Sequence, residues 1–423
     1  MQPIELLYAA HAAAIAAAQP ERVVPPHLSL PVSGHLRVVG AGKAAAAMAA
    51  AVEAHAPPGL SLDGLVVTRH GHGQSMRSIR VVEAGHPLPD AAVLQAAAEV
   101  LRLVAGAGPE DRLLALISGG GSSLLSLPAE GLTLDDIACV SGDLLACGAP
   151  IAEINCVRKH LTRTLGGRLA AVSRAPVTVL AISDVAGDDP AVIASGPFAP
   201  DPTTYHDAIE VLARWGVTPP AAVRAHLERG VRGELAETPK PGAACFARVE
   251  HRVIASGRTA LTAAAEVFRA HGVHAVVLGD SIEGEAREVA AVFAALAREV
   301  RLYGTPWAPP VVLLAGGETT VTVRGRGRGG RNAEFALALA IKLGGLPGVY
   351  ALAADTDGID GTGPHAGALV TPDSLARART LGLDARRLLA DNDACGFFAP
   401  LGDLLVSGPT RTNVNDYRAI LIT

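Results

Sequence analysis

Lysine is scarce in this chain, with only Lys43, Lys159, Lys240 and Lys342 among 423 residues. Lys43 stands in a glycine turn, VVGAGKAAAAMAAAVE at 38–53, where an apolar run gives way to an alanine-rich helical stretch. A strand–turn–helix of this kind presents helix N–H groups and an ammonium to an anion. Gly40, Gly42 and Ala45 occupy the three places of the dinucleotide fingerprint G-x-G-x-x-G/A. That fingerprint also needs an acidic residue at the end of the next strand, about 20 residues on. The nearest, Asp63, comes before the strand GLVVT instead. A Walker A loop is excluded too, because Arg37 replaces its first Gly and Ala44 its Ser/Thr. The plain alternative is a tight turn with a solvated lysine.

Further polar groups follow at the ends of apolar runs. In LLALISGGGSSLLSLP at 113–128, Ser118, Gly119, Gly120, Gly121 and Ser122 form a loop whose backbone can approach phosphates closely. On the predicted helix after Glu153, Arg158, Lys159, His160 and Arg163 crowd together without acidic partners at i+4, which is either a solvated face or a nucleotide-binding one. Asp184, Asp188 and Asp189 cluster in ISDVAGDDP, and one of them can be a simple turn cap. Farther on, Gly316 and Glu318 precede RGRGRGGR at 324–331, and Arg331-Asn332 opens the helix AEFALALA. RGRGRGGR resembles an RNA-binding Arg/Gly segment, yet it is eight residues between a strand and a helix in an acidic chain. An anion-binding loop at a helix start, with arginines suited to bidentate phosphate contact, fits better. Asp355, Asp357 and Asp360 end another buried run, but Ile359 breaks the EF-hand ligand pattern and no Glu closes it. What remains is Mg²⁺, which takes one or two carboxylates together with phosphate oxygens, or a base that accepts a hydroxyl proton.

The elements that must position these groups are continuous apolar runs at 36–43, 113–123, 177–189, 251–257, 274–280, 311–323 and 349–361, with helical stretches between them. Continuous runs are expected of strands covered on both faces, so the reading is α/β with parallel sheets. In such sheets ligands bind beyond the carboxyl ends of the strands, where the groups above lie. The length exceeds one core's usual service, and the polar, proline-containing stretch 229–248 divides the chain at 240/241. Aromatics are 3%, so the core must be aliphatic and tightly approached. Net charge is −5, which calls for neither nucleic acid nor an anionic membrane. Five cysteines show no C-x-x-C pair, the first 21 residues lack a basic n-region, and no run of 18 uncharged apolar residues occurs. The expectation is a cytoplasmic protein without disulfides, structural metal or membrane span.

Taken in order, GAGKAA, GHPLPD, SGGGSSLL, NCVRKHLTRTLGGRLA, ISDVAGDDPAVIASGP, GGETTVTV, GRGGRNAEFAL, ADTDGIDG and SGPTRTNVND resemble the glycerate 2-kinase family with a C-terminal MOFRL domain. The resemblance implies two α/β domains, a Rossmann-like one over 1–240 and a second over 241–423 whose MOFRL region spans about 305–420, with the active site in the cleft between them. It implies ATP, a divalent cation such as Mg²⁺ and D-glycerate as ligands, and 2-phosphoglycerate as product. The family's essential lysine and arginine correspond to Lys43 and Arg331, expected to face each other across the cleft. On this reading Asp189 joins them as a catalytic residue, and Asp189 or Asp355 supplies the base. Phosphate contacts fall to Gly40, Gly42, Ser118–Ser122, Lys159, Gly316, Glu318 and Asn332, and metal contacts to Asp189, Asp355 and Asp357. A homo-oligomer is compatible with the sequence. The rival reading is an NAD(P)-dependent hydroxypyruvate reductase, which leaves the SGGGSS and GRGGR loops and the Asp clusters unexplained.

Overall fold

The computed structural model describes residues 1–30, 34–361 and 363–423. They fall into two compact units: Val23–Ser183 with Asp188–Ile254, and Met1–Arg22 with Asp184–Gly187 and Ala255–Thr423. In the first unit the apolar runs at 36–43, 113–123, 177–189 and 251–257 become β1 (His35–Ala41), β4 (Arg112–Ser118), β5 (Val177–Ile182) and β6 (Val249–Ala255), and β2 (Ser61–Arg69) and β3 (Ile79–Ala84), outside those runs, join them. Their order in the sheet is β3-β2-β1-β4-β5-β6, and the pairings from β3 through β5 are parallel. The order reverses between β1 and β4, so the loops leaving those two strands lie at a topological switch point. Those are the Lys43 turn and the Gly119–Ser122 loop.

Small residues make this packing close. On the helix Ala45–His55, Ala45, Ala46, Ala47, Ala49 and Ala51 are all buried. Gly40 sits opposite Leu116, and a Cβ added there would come within 2.4 Å of the Leu116 carbonyl oxygen. Four helices, Leu134–Ala146, Ile151–Leu161, Tyr205–Arg214 and Ala221–Val231, build a separate aliphatic cluster within the same unit.

The second unit contains β7 (His274–Gly279), β8 (Gly284–Glu285), β9 (Val311–Ala315), β10 (Thr319–Thr320), β11 (Val349–Asp355), β12 (Gly367–Val370), β13 (Leu404–Leu405) and β14 (Asp416–Ile422). Apart from the short parallel pair β8–β10, they form one sheet in the order β13-β12-β11-β14-β9-β7. Here the expectation of parallel strands gives way. Only β7–β9 is parallel, and β14 runs antiparallel to both β9 and β11. Every residue of β14 is buried, so its continuous apolar run reports covered faces and carries no information about direction.

The units also part from the expected division at 240/241. Residues up to Ile254 stay with the first unit, where β6 is the edge strand, while the helix Pro3–Ala17 packs on Gly257–Ala270 in the second. No helix of the described residues is long and apolar enough to cross a membrane.

Candidate active site

At the switch point the backbone of the Lys43 turn is fully engaged. Gly42 N–H donates to Val67 O (3.1 Å), Lys43 N–H to Gly119 O (2.9 Å) and Ala44 N–H to Ser118 Oγ (3.0 Å). The expectation of free N–H groups is therefore corrected for Gly42, Lys43 and Ala44, while no side chain caps the Ala45–His55 helix itself. Gly42 adopts φ +133°, and a Cβ there would meet Ser118 Oγ at 2.2 Å. Gly40, Gly42 and Ser118 thus act by letting two loops lock together. What the turn presents is the Lys43 side chain, half-buried, on a backbone further held by His72 Nδ1 against Lys43 O (3.1 Å).

The second loop turns at Gly120 (φ +81°), where a Cβ would strike His86 Nε2 at 2.6 Å. Gly121 is as tight, 2.7 Å from Ala194 Cβ. Ser122 Oγ lies 2.8 Å from Ser195 Oγ, and Ser123 Oγ donates to Gly120 O at 3.1 Å. Asp189, in the same unit, is exposed. Among the described residues its carboxylate accepts only from Ala191 N–H (2.8 Å), and its carbonyl accepts Val192 and Ile193 N–H, so it caps its own turn.

Lys159 is placed otherwise than expected. It is buried, 3.5 Å from Asp201 Oδ1, and Asp201 is wholly enclosed with Thr203 N–H and Oγ also donating to it. Its neighbours are engaged as well: Arg158 Nε donates to Ser141 Oγ (3.0 Å) and His160 Nε2 faces Glu237 Oε2 (3.3 Å), leaving Arg163 exposed. A lysine spent on a buried carboxylate cannot reach a nucleotide phosphate. Lys159→Ala is accordingly expected to destabilise the fold by about 3–5 kcal/mol by stranding Asp201. In a urea melt this shows as a lower midpoint, while KM for the nucleotide stays near wild type. A nucleotide KM raised tenfold in a folded variant would restore Lys159 to the phosphate site.

In the second unit the mixed sheet assembles a charged cluster. Register pairs Asp355 at the end of β11 with Asp416 at the start of β14, and Arg418 with Ala315 at the end of β9. Arg331, first residue of the helix Arg331–Leu343, donates from Nε to Asp416 Oδ1 (2.7 Å) and from Nη2 to Asp355 Oδ2 (2.9 Å) and Asn415 Oδ1 (2.8 Å). Its Nη1 lies 3.2 Å from Glu318 Oε1. Burial works against this charge, but Asp416, Asp355 and Glu318 outweigh it and raise the guanidinium's pKa well above its usual value. Burial likewise opposes the Asp416 charge, and Arg331 and Arg418 hold its carboxyl below the usual range.

The helix carrying Arg331 is anchored by Asp360, whose two oxygens accept Asn332 N–H (3.0 Å) and Ala333 N–H (2.8 Å). Burial pushes Asp360 up to about 6 despite these donors. Asn332, expected on phosphate, is buried and bridges Asp360 to Asp416 (2.7 Å). Gly316 gives its N–H to Gly279 O (2.8 Å), and Glu318, a carboxylate, serves Arg331 and Asn415. Glu318 thus contacts Arg331 directly, Asn332 is joined to it through Asp416, and the Gly316 N–H is spent on Gly279 O.

Two guanidiniums, Arg331 and Arg418, thus meet three carboxylates, Glu318, Asp355 and Asp416. Three carboxylates gathered in one place suit a cation. Among the described residues no three His, Cys, Asp or Glu side chains are arranged to hold a metal ion. A cation held by one or two carboxylates and by phosphate oxygens, the usual habit of Mg²⁺, fits such a donor set.

Asn413, Asn415, Asp416 and Arg418 were not singled out from the sequence. The signal available was a run of polar residues entering a fully buried strand. They escaped because the carboxyl-end rule does not look at the start of a strand, and an antiparallel β14 puts its start beside the ends of β9 and β11. Asp184 belongs here as well: its Oδ2 accepts Asn413 Nδ2 (3.0 Å) and its carbonyl accepts Asn415 Nδ2 (2.9 Å).

Comparison with known proteins covers both units. A family model described as a domain of unknown function (DUF4147) matches residues 6–228, and the MOFRL family model matches 311–416. A protein of Agrobacterium vitis provisionally named a hydroxypyruvate reductase is 50% identical over 97% of this chain and 92% of its own length. A D-glycerate 2-kinase of Thermotoga maritima is 39% identical over 95% and 94%. The crystal structure of a glycerate kinase from Thermotoga maritima superposes with a TM-score of 0.85 at 38% identity, covering 99% of each chain.

Proposed function

Because this chain belongs to the MOFRL-domain glycerate kinase family, we propose that it transfers the γ-phosphoryl of ATP to the 2-hydroxyl of D-glycerate, giving 2-phosphoglycerate and ADP. The observation that carries the chemistry is Arg331: permanently charged, immobilised by three carboxylates and still a quarter exposed. Phosphoryl transfer needs little covalent help from protein, and fixed positive charge around the moving group does most of the work.

In this reading Lys43 and Arg331 contact the transferring phosphoryl or the glycerate carboxylate. The Gly119–Ser122 loop lies against nucleotide phosphates through its backbone. Asp189, exposed on its own turn, accepts the hydroxyl proton as the oxygen attacks phosphorus and ADP departs with the bridging oxygen. Asp355 and Asp357 are the carboxylates that would share Mg²⁺ with the phosphates, and when bound the ion would offset their negative charge. Five unbridged cysteines support a cytoplasmic setting.

A reductase would have to seat the pyrophosphate of its cofactor on the start of the Ala45–His55 helix. There the N–H groups of Lys43 and Ala44 are already donated to Gly119 O and Ser118 Oγ. Purified protein with ATP, Mg²⁺ and D-glycerate, coupled through enolase, pyruvate kinase and lactate dehydrogenase, is expected to give a signal that vanishes without enolase. ADP release without an enolase substrate would move transfer to the 3-hydroxyl. Oxidation of NADH or NADPH by hydroxypyruvate in proportion to enzyme, with no glycerate-dependent ADP, would overturn the kinase reading.

A further inference from the structure

The loop between β10 and the Arg331 helix is more ordered than its Arg/Gly composition suggests. Arg324 N–H and Gly325 N–H donate to Asn392 Oδ1 (2.8 and 3.0 Å), Arg326 N–H to Asp391 Oδ1 (2.9 Å), Gly327 N–H to Asp391 O (2.8 Å) and Arg328 N–H to Asp393 Oδ1 (3.1 Å). Gly325, Gly327 and Gly329 lie against the 391–394 segment. A Cβ at Gly325 would fall 2.3 Å from Asp391 O, at Gly327 2.3 Å from Asp393 Cβ, and at Gly329 3.3 Å from Ala394 Cβ. Gly325 and Gly327 are therefore forced to be glycine, and the intervening Arg324, Arg326 and Arg328 are all exposed.

Among the described residues none of these three side chains has an ion-pair or hydrogen-bond partner. Arg287, Arg331, Arg377 and Arg418 in the same unit all pair with carboxylates. Asp391 and Asp393 lie along the strip, but they are turned to its backbone N–H groups. Alternate Cα atoms are at most about 7.6 Å apart, so adjacent guanidiniums can serve adjacent groups of one short polyanion. Gathering three like charges costs free energy unless something anionic repays it.

We propose that Arg324, Arg326 and Arg328 form a docking strip for a linear chain of phosphates, the triphosphate of the nucleotide donor. The choice of donor rests on the kinase reading, whereas the strip's affinity for a phosphate chain does not. Three observations favour this ligand. Both guanidiniums of the Arg331 cluster are already engaged with Glu318, Asp355 and Asp416, so further positive charge for a polyphosphate must come from beyond it. The strip runs directly into that cluster, Arg328 preceding Arg331 by three residues and hence by no more than about 11 Å between Cα atoms. No aromatic residue interrupts 321–331, so the strip has phosphate-binding groups but no platform on which bases of a nucleic acid would stack. Guanidiniums suit phosphate oxygens in bidentate fashion, and a clamped backbone loses little entropy when they bind.

The test compares the whole chain with its R324Q/R326Q/R328Q variant by calorimetric titration, using MgATP and separately inorganic tripolyphosphate, and by steady-state kinetics. Arginines with no protein partner leave the fold intact when replaced, and a urea melt of each protein checks this. Loss of the strip is expected to weaken both ligands by roughly ten- to a hundredfold, with KM for ATP rising in step. KM for D-glycerate is expected to move by less than about twofold, and triple lysine replacement to recover part of the loss. The proposal fails if both affinities stay within twofold of wild type. It fails equally if the wild type prefers an RNA oligonucleotide to tripolyphosphate. Tripolyphosphate binding through the strip without glycerate turnover would uphold the strip and sink the kinase reading. Full turnover with unaltered KM for ATP in the variant would do the reverse.

Discussion

Arg331→Ala is expected to lower kcat by roughly 10³–10⁵-fold, the range over which a transition-state arginine acts in phosphoryl transfer. The same substitution takes from Asp416 and Asp355, both buried, the guanidinium they share, while Arg418 stays on Asp416. Removing one partner of a buried ion pair costs about 3–5 kcal/mol, so a lower urea midpoint accompanies the kinetic loss. The two effects are separable because kinetics can be taken at temperatures where the variant is still folded, as judged by circular dichroism. Arg331→Lys sharpens the test. A lysine keeps the charge but cannot serve Asp416, Asp355 and Asn415 from one rigid fork, so it is expected to recover stability better than rate. A folded Arg331→Ala enzyme within tenfold of wild-type kcat would remove Arg331 from the transition state and leave it a strut between strands.

Lys43→Ala is expected to cost about 10²–10³ in kcat, the scale of losing one preorganised donor to developing charge. The fold is expected to survive the substitution. The reason for that contrast lies in how the turn is built. Lys43 is held through its backbone, with its N–H on Gly119 O and its carbonyl under His72 Nδ1, and truncating the side chain touches neither bond. Circular dichroism should therefore show a folded protein while turnover collapses. Turnover within threefold of wild type would return Lys43 to the rank of a solvated lysine in a tight turn. Gly42→Ala is the structural counterpart, because its Cβ would collide with Ser118 and force the two switch-point loops apart.

The parts of this protein that depend on short stretches of chain were legible without coordinates. Apolar runs ending in Gly, Ser or Asp mark the strands because burial on both faces selects aliphatic residues, whatever the neighbours. Lys43 and Arg331 stood out because each opens a helix just beyond a glycine-rich turn. The order of nine motifs carried the family, since a sequence resemblance is itself a linear property. Strand direction was decided elsewhere. An apolar strand buried on both faces looks the same parallel or antiparallel, and only the assembled sheet turns β14 so that Asp416 opens beside Asp355. That reversal supplies Arg331 with partners 84 and 85 residues away.

Assignments of charged and polar groups to ligands fared differently, because what a group binds is settled by what lies closest in space. Lys159 looked like one of several exposed cations until Asp201, 42 residues on, claimed it inside the fold. The N–H groups of the Lys43 turn looked free until β4 brought Ser118 and Gly119 alongside. Conversely, Arg324, Arg326 and Arg328 looked like loose low-complexity chain until Asp391, Asn392 and Asp393 clamped their backbone and left the side chains outward. Composition and local pattern thus determined the strands, the helices and the residues fit for phosphate chemistry. Tertiary structure decided which of those charges are consumed in holding the protein together, because a buried charge must find its partner inside the fold and an exposed one need not.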